Sequence, residues 1–326
     1  MQMKDDILIS IVIPVKNGDL WLETLFRKLV TQTLYPRTEI IVLDSGSTDR
    51  SLEIIEQYPV KLIHIPPGEF NHGETRNTGA RAARGKYVVM TVQDATPTSD
   101  EWLQHLIDGF KDETVAGVCG RQIAPHDPDK NPVQWYRFFS PPQLTYVHFS
   151  QPEDLLNLSP AEQRTKCGWD NVTAAYRRDL LLQHPFQRTE FAEDIIWARE
   201  MLTKGFTLAY NDHAMVFHYH HPIAAFVLPR YFSVYYFEYQ LFGLVPIPNK
   251  SLLWHALFTT KILLKESSVS WRDKYKWLLF NIRYRLMMAK TIRIFRHALR
   301  EGEEVLTGKY RQICKTVPQA PKITRS

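Results

Sequence analysis

The feature that most constrains this chain is an alternation of strand and helix patterns through its N-terminal part. Ile7–Val15 is a continuous apolar run of strand length, closed by an Asn17-Gly18 turn. Leu20–Leu34 follows with apolar residues at helical spacing, namely Leu22, Leu25, Phe26, Leu29 and Val30. Glu39–Leu43 is a second buried strand ending at Asp44, and Ser47–Gln57 is a short helix that Ser47 is placed to cap. Val60–Ile65 is a third strand, Thr75–Ala83 a helix stopped at Gly85, and Tyr87–Val92 a fourth strand leading into Gln93-Asp94. This alternation predicts an α/β fold on a doubly wound, mainly parallel sheet. Such sheets hold ligands at the carboxyl ends of their strands, so Asn17, Asp44 and Asp94 are expected on one rim.

Beyond this point the pattern loosens. Trp102–Phe110 reads as a helix, and Pro125 to Pro160, rich in proline and aromatics, as loops and short irregular elements. Phe191–Lys204 reads as a helix opened by Glu193-Asp194 and closed at Gly205, with strands at Phe206–Tyr210 and Ala214–His218. From Pro229 onward the pattern is helical and amphipathic, with the last dozen residues expected to fray. There is no internal repeat.

With 326 residues, 44% hydrophobic and 23% charged, the chain can bury a large core as one large domain or two small ones. Disordered and fibrous classes are thereby excluded. Cys119, Cys167 and Cys314 are odd in number and far apart, which excludes a disulfide scaffold or zinc ribbon and fits a reducing compartment. The formal charge of +5 conceals a division. Residues 226–326 carry 18 Lys+Arg and 6 Asp+Glu, a net +12, which leaves −7 for residues 1–225. A basic, aromatic C-terminal third on an acidic body points to an anionic membrane surface or another polyanion, or else to a solvated helical face. The acidic start does not resemble a signal peptide, and His255 and Lys261 interrupt the apolar Ser251–Leu264 stretch. The expectation is a cytoplasmic protein, peripheral on the inner face of the cell membrane at most.

Several residues carry candidate chemistry. Asp44, at a strand end before a Gly/Ser turn, suits either a base or ribose contact or an Asx-turn, while Asp49 suits a first-turn helix acid. Asp94 is a turn former or a ligand for magnesium or manganese. Glu193 and Asp194 cap a helix or supply a general base. His218 and His220 share one strand face, with His221 beside them, and can address a metal together. The chain lacks GxGxxG after its first strand, a GxxxxGK[ST] loop and a GxSxG elbow, which excludes dinucleotide oxidoreductases, P-loop NTPases and α/β-hydrolases.

In their order, these residues resemble the inverting family 2 glycosyltransferases with the GT-A fold. The resemblance runs from Ser10-Ile-Val-Ile-Pro14-Val-Lys-Asn17 through Leu43-Asp44-Ser45-Gly46-Ser47-Thr48-Asp49 and Arg76-Asn77-Thr78-Gly79 to Asp94, and covers about residues 8–220. Phe70-Asn71-His72-Gly73-Glu74-Thr75-Arg76-Asn77, Gln93-Asp94-Ala95-Thr96-Pro97 and Phe191-Ala192-Glu193-Asp194-Ile195 are similar to a rhamnosyltransferase-like branch that builds bacterial polysaccharides. The resemblance implies a GT-A domain over 1–225, with a nucleotide-sugar half at about 1–120 and an acceptor half at about 121–225, and a basic helical region over 226–326.

For the site, the resemblance implies donor-nucleotide binding by Pro14, Lys16, Asn17, Asp44 and Arg76. It implies a divalent metal, Mg2+ or Mn2+, at Asp94 with His218 or His220, Asp194 as the base, and Glu193, Trp169 and Asn171 on the acceptor side. The implied partners are dTDP-rhamnose and a glycan or lipid-linked glycan acceptor, without nucleic acid. One departure stands out: the usual DxD is Gln93-Asp94-Ala95, which leaves one carboxylate where two are common. UDP or GDP hexoses, and a glycan-binding protein without turnover, are the rival readings.

Overall fold

The computed structural model describes residues 6–66, 68–127, 129–135, 141–219, 224–247 and 251–315. His220, His221 and residues 316–326, which hold most of the expected frayed end, lie outside the described residues. The chain divides into two compact units, one of Met1–Ile123 with Pro141–His218 and one of Ala124–Ser140 with Tyr219–Ser326.

The first unit opens as the alternation predicts. Strand β1 (Ile9–Val15) leads to α1 (Asp19–Val30), then to β2 (Thr38–Asp44), α2 (Ser51–Ile55), β3 (Val60–His64), α3 (His72–Ala82) and β4 (Tyr87–Thr91). β1 lies between β2 and β4, and β2 takes β3 on its outer edge, all in parallel. β1 reads as an unbroken apolar run because both faces of the sheet are covered: Ile9, Ile11, Val12 and Ile13 are fully buried. α1 turns Leu22, Leu25, Phe26 and Leu29 into the same core. The expected helix after β2 starts later than the sequence suggests, because Ser47 accepts a hydrogen bond from Asn17 N (2.9 Å) instead of capping it.

The rest of this unit is a mixed extension of the sheet. β5 (Ala95–Pro97) precedes α4 (Trp102–Asp108) and β6 (Val115–Ile123), while α5 (Pro132–Trp135) belongs to the other unit. Then come β7 (Leu144–Val147), α6 (Pro152–Leu156), α7 (Pro160–Lys166), β8 (Thr173–Arg177), α8 (Arg178–Gln183), α9 (Glu193–Thr203) and β9 (Thr207–His218). The strand order is β3-β2-β1-β4-β8-β6-β9-β5, with β7 also on β9. β8 runs antiparallel to both neighbours, which ends the parallel half. Two strands expected after α9 are one strand, β9, whose register against β6 shifts between Cys119 and Arg121. The polar Asn211-Asp212-His213 stretch marks that irregularity, which is why sequence pattern alone divides the strand.

The second unit is helical: α5, α10 (Ala224–Phe242), α11 (Leu252–Lys265), α12 (Trp271–Glu301) and α13 (Glu303–Cys314). A small core joins Trp135, Leu263, Val269 and Trp277, and Asn131 and Asn281 exchange side-chain amide hydrogen bonds of 3.0 and 3.1 Å. Its aromatic residues divide. Phe232, Tyr236, Phe237, Trp277, Phe295 and Tyr310 are buried, whereas Trp254, Trp271 and Tyr275 face water. Among the described residues no helix is long and apolar enough to cross a membrane.

Candidate functional site

The carboxyl ends of β2, β1 and β4 are neighbours in the sheet, so Asp44, the Lys16-Asn17 turn and Gln93-Asp94 share one rim, as the alternation predicts. The turn after β1 is held from two sides. Asn17 adopts φ 50°, and its Oδ1 accepts from Thr48 N at 2.8 Å. Gly18 N donates to Ser51 Oγ at 2.7 Å. On the other side Gln93 makes a two-point clamp: Lys16 N donates to its Oε1 (2.8 Å), and its Nε2 donates to Lys16 O (3.1 Å). A Cβ on Gly18 would stand 2.9 Å from that same Oε1, so this turn accepts only glycine without moving Gln93. The amide in place of the first DxD acid therefore holds the β1 loop. An aspartate is one methylene shorter and, when ionised, has no donor for Lys16 O.

Asp44 is 2% exposed and accepts from Gly46 N (3.1 Å) and Ser47 N (3.2 Å), with His64 Nδ1 3.7 Å away. The Asx-turn weighed for this residue is thus present, and a carboxylate retains acceptor capacity beyond those two bonds. Pro14 is half-buried, and Lys16 and Asn17 are exposed.

Asp94 meets His218 because β5 pairs antiparallel with β9 and places Ala95 opposite His218. His218 Nε2 lies 3.5 Å from Asp94 Oδ2. Its Nδ1 is 2.7 Å from Gln122 Oε1, so that nitrogen carries the proton and Nε2 faces Asp94. Gln122 also donates to Asp170, a carboxyl that burial raises above the ordinary range. A line Asp94–His218–Gln122–Asp170 results. Two donors each ~2.1 Å from one cation lie about 3–4 Å apart, and a carboxylate with an imidazole suits manganese, so this pair fits a divalent ion. Among the described residues no third His, Cys, Asp or Glu joins them.

Asp194 stands at the first turn of α9, next to the end of that line. Its Oδ2 accepts from Asn171 N (3.2 Å) and its Oδ1 from Ile195 N (2.8 Å). Burial, followed by the charges of Glu193 and Asp170, pushes its carboxyl up to about 8. Glu193 is occupied: its Oε1 accepts from Arg76 Nη1 (3.1 Å) and Asn171 Nδ2 (3.0 Å), and it is 6% exposed. Arg76, expected at the diphosphate, is buried against Glu193 and the His72 carbonyl (3.0 Å), while its Nε has no hydrogen-bond partner among the described residues. Trp169, expected on the acceptor side, is 5% exposed, and its Nε1 donates to Tyr176 Oη at 2.7 Å. Tyr176 passes the bond to Asn171 Oδ1 (2.5 Å), so Trp169 reaches the site through this relay.

The Asn71–Gly79 motif works as a clamp on the segment that carries Asp194. Asn71 caps α3 through Glu74 N and donates from Nδ2 to Thr189 O (2.9 Å). Asn77 holds both backbone groups of Phe186, donating to its O (2.9 Å) and accepting from its N (3.0 Å). A Cβ on Gly73 would lie 2.3 Å from Gln187 O. Sequence reasoning overlooked Asp170 and Gln122, although Asp170 sits between two residues it did select, Trp169 and Asn171.

A parallel βαβαβ half with acids on its rim, continued by a mixed half that carries an acid-led helix, is a fold of the GT-A type. Solved structures share the fold. TarS of S. aureus, residues 1–349, superposes with a TM-score of 0.51 at 15% identity, over 94% of this chain and 81% of that one. Glucosyl-3-phosphoglycerate synthase of Mycobacterium tuberculosis gives 0.50 at 18%, over 75% and 83%. A profile of glycosyl transferase family 2 matches residues 10–167. The O-antigen chain rhamnosyltransferase WbaN of Salmonella anatum is 34% identical over 230 residues, 69% of this chain and 70% of that protein. RfbN of Salmonella typhimurium, named for the same activity, is 31% identical over 231 residues, 69% and 70%. The chain belongs to glycosyltransferase family 2 and is a glycosyltransferase.

Proposed function

We propose that the protein transfers L-rhamnose, or a related deoxysugar, from a nucleoside diphosphate donor to a hydroxyl of a growing bacterial surface glycan, with inversion. The similarity to WbaN and RfbN, both named O-antigen chain rhamnosyltransferases, supports this sugar class and favours dTDP-rhamnose as donor. The observation that carries the chemistry is Asp194, a carboxylate raised to about 8 and aimed by Asn171 N and Ile195 N. Asp194 takes the proton of the acceptor hydroxyl as that oxygen attacks the anomeric carbon from the face opposite the departing diphosphate.

Pro14, Lys16, Asn17 and Asp44 line the nucleotide side, with residues of about 1–120 serving the donor and about 121–225 the acceptor. Asp94 and His218 are the metal ligands of this reading, and His220 lies outside the described residues. A divalent cation held there would neutralise charge on the leaving diphosphate. Mn2+ with UDP in the glucosyl-3-phosphoglycerate synthase complex is in keeping with such a site on this fold. Arg76, Glu193, Asn171 and Trp169 act as positioning residues behind Asp194.

The helical region meets an anionic membrane on the inner face of the cell, where lipid-linked glycan is presented. Support comes from α11, which has no acidic residue and exposes Leu253 (69%), Leu257 (63%) and Leu264 (58%) beside Lys261 and Lys265. The test of the transfer reading is an Asp194→Asn enzyme, expected to fold and bind dTDP-rhamnose with unchanged affinity yet release dTDP at least ~100-fold more slowly than wild type in the presence of acceptor at pH 8. Turnover at the wild-type rate would refute the assignment.

A further inference from the structure

The helical unit contains a cavity of about 590 Å3 that the transfer chemistry leaves unused. Its size is that of a small-molecule site. Val227 from α10 and Leu279, Phe280, Leu286 and Met287 from α12 give it an apolar lining, and Leu286 is 52% exposed. An apolar hollow open to water marks a place where something binds.

Its rim says what kind of molecule. Lys276, Arg283 and Lys290 all line the cavity and follow one another at intervals of seven. On an α-helix, residues seven apart are about 10.5 Å apart along the axis and only ~20° apart around it, so the three cations form one row about 21 Å long. Between Lys274 and Arg300, α12 carries no acidic residue. Among the described residues neither Arg283 nor Lys290 has an ion pair, and Lys276 stands 4.8 Å over the Trp277 ring. A row of cations beside an apolar trough is complementary to an amphiphile whose head is anionic.

We propose that this groove binds one anionic lipid of the bilayer, its hydrocarbon chain along Leu279, Leu286 and Met287 and its phosphate between the neighbouring cations Arg283 and Lys290, with Lys276 further along the row adding attraction at longer range. The inference rests on the membrane reading above and deepens it from a charged surface to a built site. Guanidinium and ammonium donors aligned along the trough offer a phosphate several charge-assisted hydrogen bonds.

The experiment measures co-sedimentation of the full chain with phosphatidylglycerol vesicles and, separately, calorimetric binding of dodecyl phosphate below its micelle concentration. The wild type is expected to bind both, dodecyl phosphate saturably at one site, and to bind neither phosphatidylcholine vesicles nor inorganic phosphate at the same concentrations. Arg283→Glu with Lys290→Glu, and independently Met287→Gln, are each expected to weaken dodecyl phosphate binding tenfold or more, with unchanged melting temperature and unchanged turnover on a soluble acceptor. Equal dodecyl phosphate binding by all three proteins, or none by the wild type, overturns the groove. Equal vesicle binding by wild type and Met287→Gln overturns the groove while leaving the membrane reading intact, whereas no vesicle binding by wild type overturns the membrane reading itself.

Discussion

Replacing Asp194 with asparagine removes one titration, and its effect can be worked out from the surroundings. The carboxyl moves from an ordinary 3.8 to about 8 because burial and the charges of Glu193 and Asp170 disfavour its ionised form. At ~1.4 kcal/mol per pH unit, that preference for the proton is on the order of 5 kcal/mol. A carboxyl whose native pKa is raised contributes stability that is full below its unfolded value of 3.8 and is lost as pH rises through about 8. Wild-type protein should therefore lose stability between about pH 4 and 8 through this group. Asp194→Asn should not, and above pH 8 it should melt several degrees higher than wild type. Activity should move the other way. The free enzyme's kcat/KM should climb about tenfold per pH unit toward 8 and then level, and on that plateau Asp194→Asn should lie 100- to 10,000-fold lower, a ratio that narrows toward pH 5 as the wild-type carboxyl is protonated. Differential scanning fluorimetry and initial rates of dTDP release, both across pH 5–9, supply the two readouts. If the two proteins show the same pH–stability curve, or the variant keeps activity within twofold of wild type above pH 8, Asp194 is not a raised carboxyl acting as the base.

Other substitutions test the surrounding scaffold. Arg76→Ala leaves Glu193 buried without its counter-ion and should cost about 3–5 kcal/mol in a denaturant titration, whereas Glu193→Gln in that background should recover much of it. Gln93→Ala loses both bonds to the Lys16 backbone and should cost ~1–2 kcal/mol, with a donor KM raised more than kcat is lowered. His218→Ala should raise the Mn2+ concentration needed for half-maximal activity at least tenfold, and Asp94→Ala should abolish activation by Mn2+, both measured by titration after chelation. Ala192 sits at φ 65° directly before Glu193, so Ala192→Gly should be neutral or stabilise by up to ~1 kcal/mol in the same denaturant assay.

The parallel half of the fold was legible because its strands are buried on both faces and its helices show a clean apolar period. Strand ends therefore fell at Asp44 and near Asp94 from pattern alone. The mixed half was legible only in part: the helices α4 and α9 and the two ends of β9 show in the pattern, whereas β6 and β8 do not. β6 opens as an apolar run but ends in Arg121-Gln122-Ile123, and β8 is a five-residue strand of mixed residues, Thr173–Arg177, whose place in the sheet is set by partners far along the chain. Site geometry followed the same division. Asp94 and His218 come together through the β5–β9 register, which no local signal specifies. The family resemblance suggested Arg76 for the nucleotide, and only a tertiary contact between α3 and α9 reveals that its guanidinium is buried with Glu193. Gln93 looked like the loss of a metal ligand, whereas its two backbone bonds give it a task of its own.

Discharge of a deoxysugar nucleotide at this site is read directly by nucleoside diphosphate release from a donor panel, with Mn2+ and with chelator. dTDP-rhamnose should be consumed faster than UDP-glucose or GDP-mannose, only with metal, and not by Asp194→Asn. Release from none of the donors by a folded wild type, or equal release by wild type and Asp194→Asn, would contradict the account.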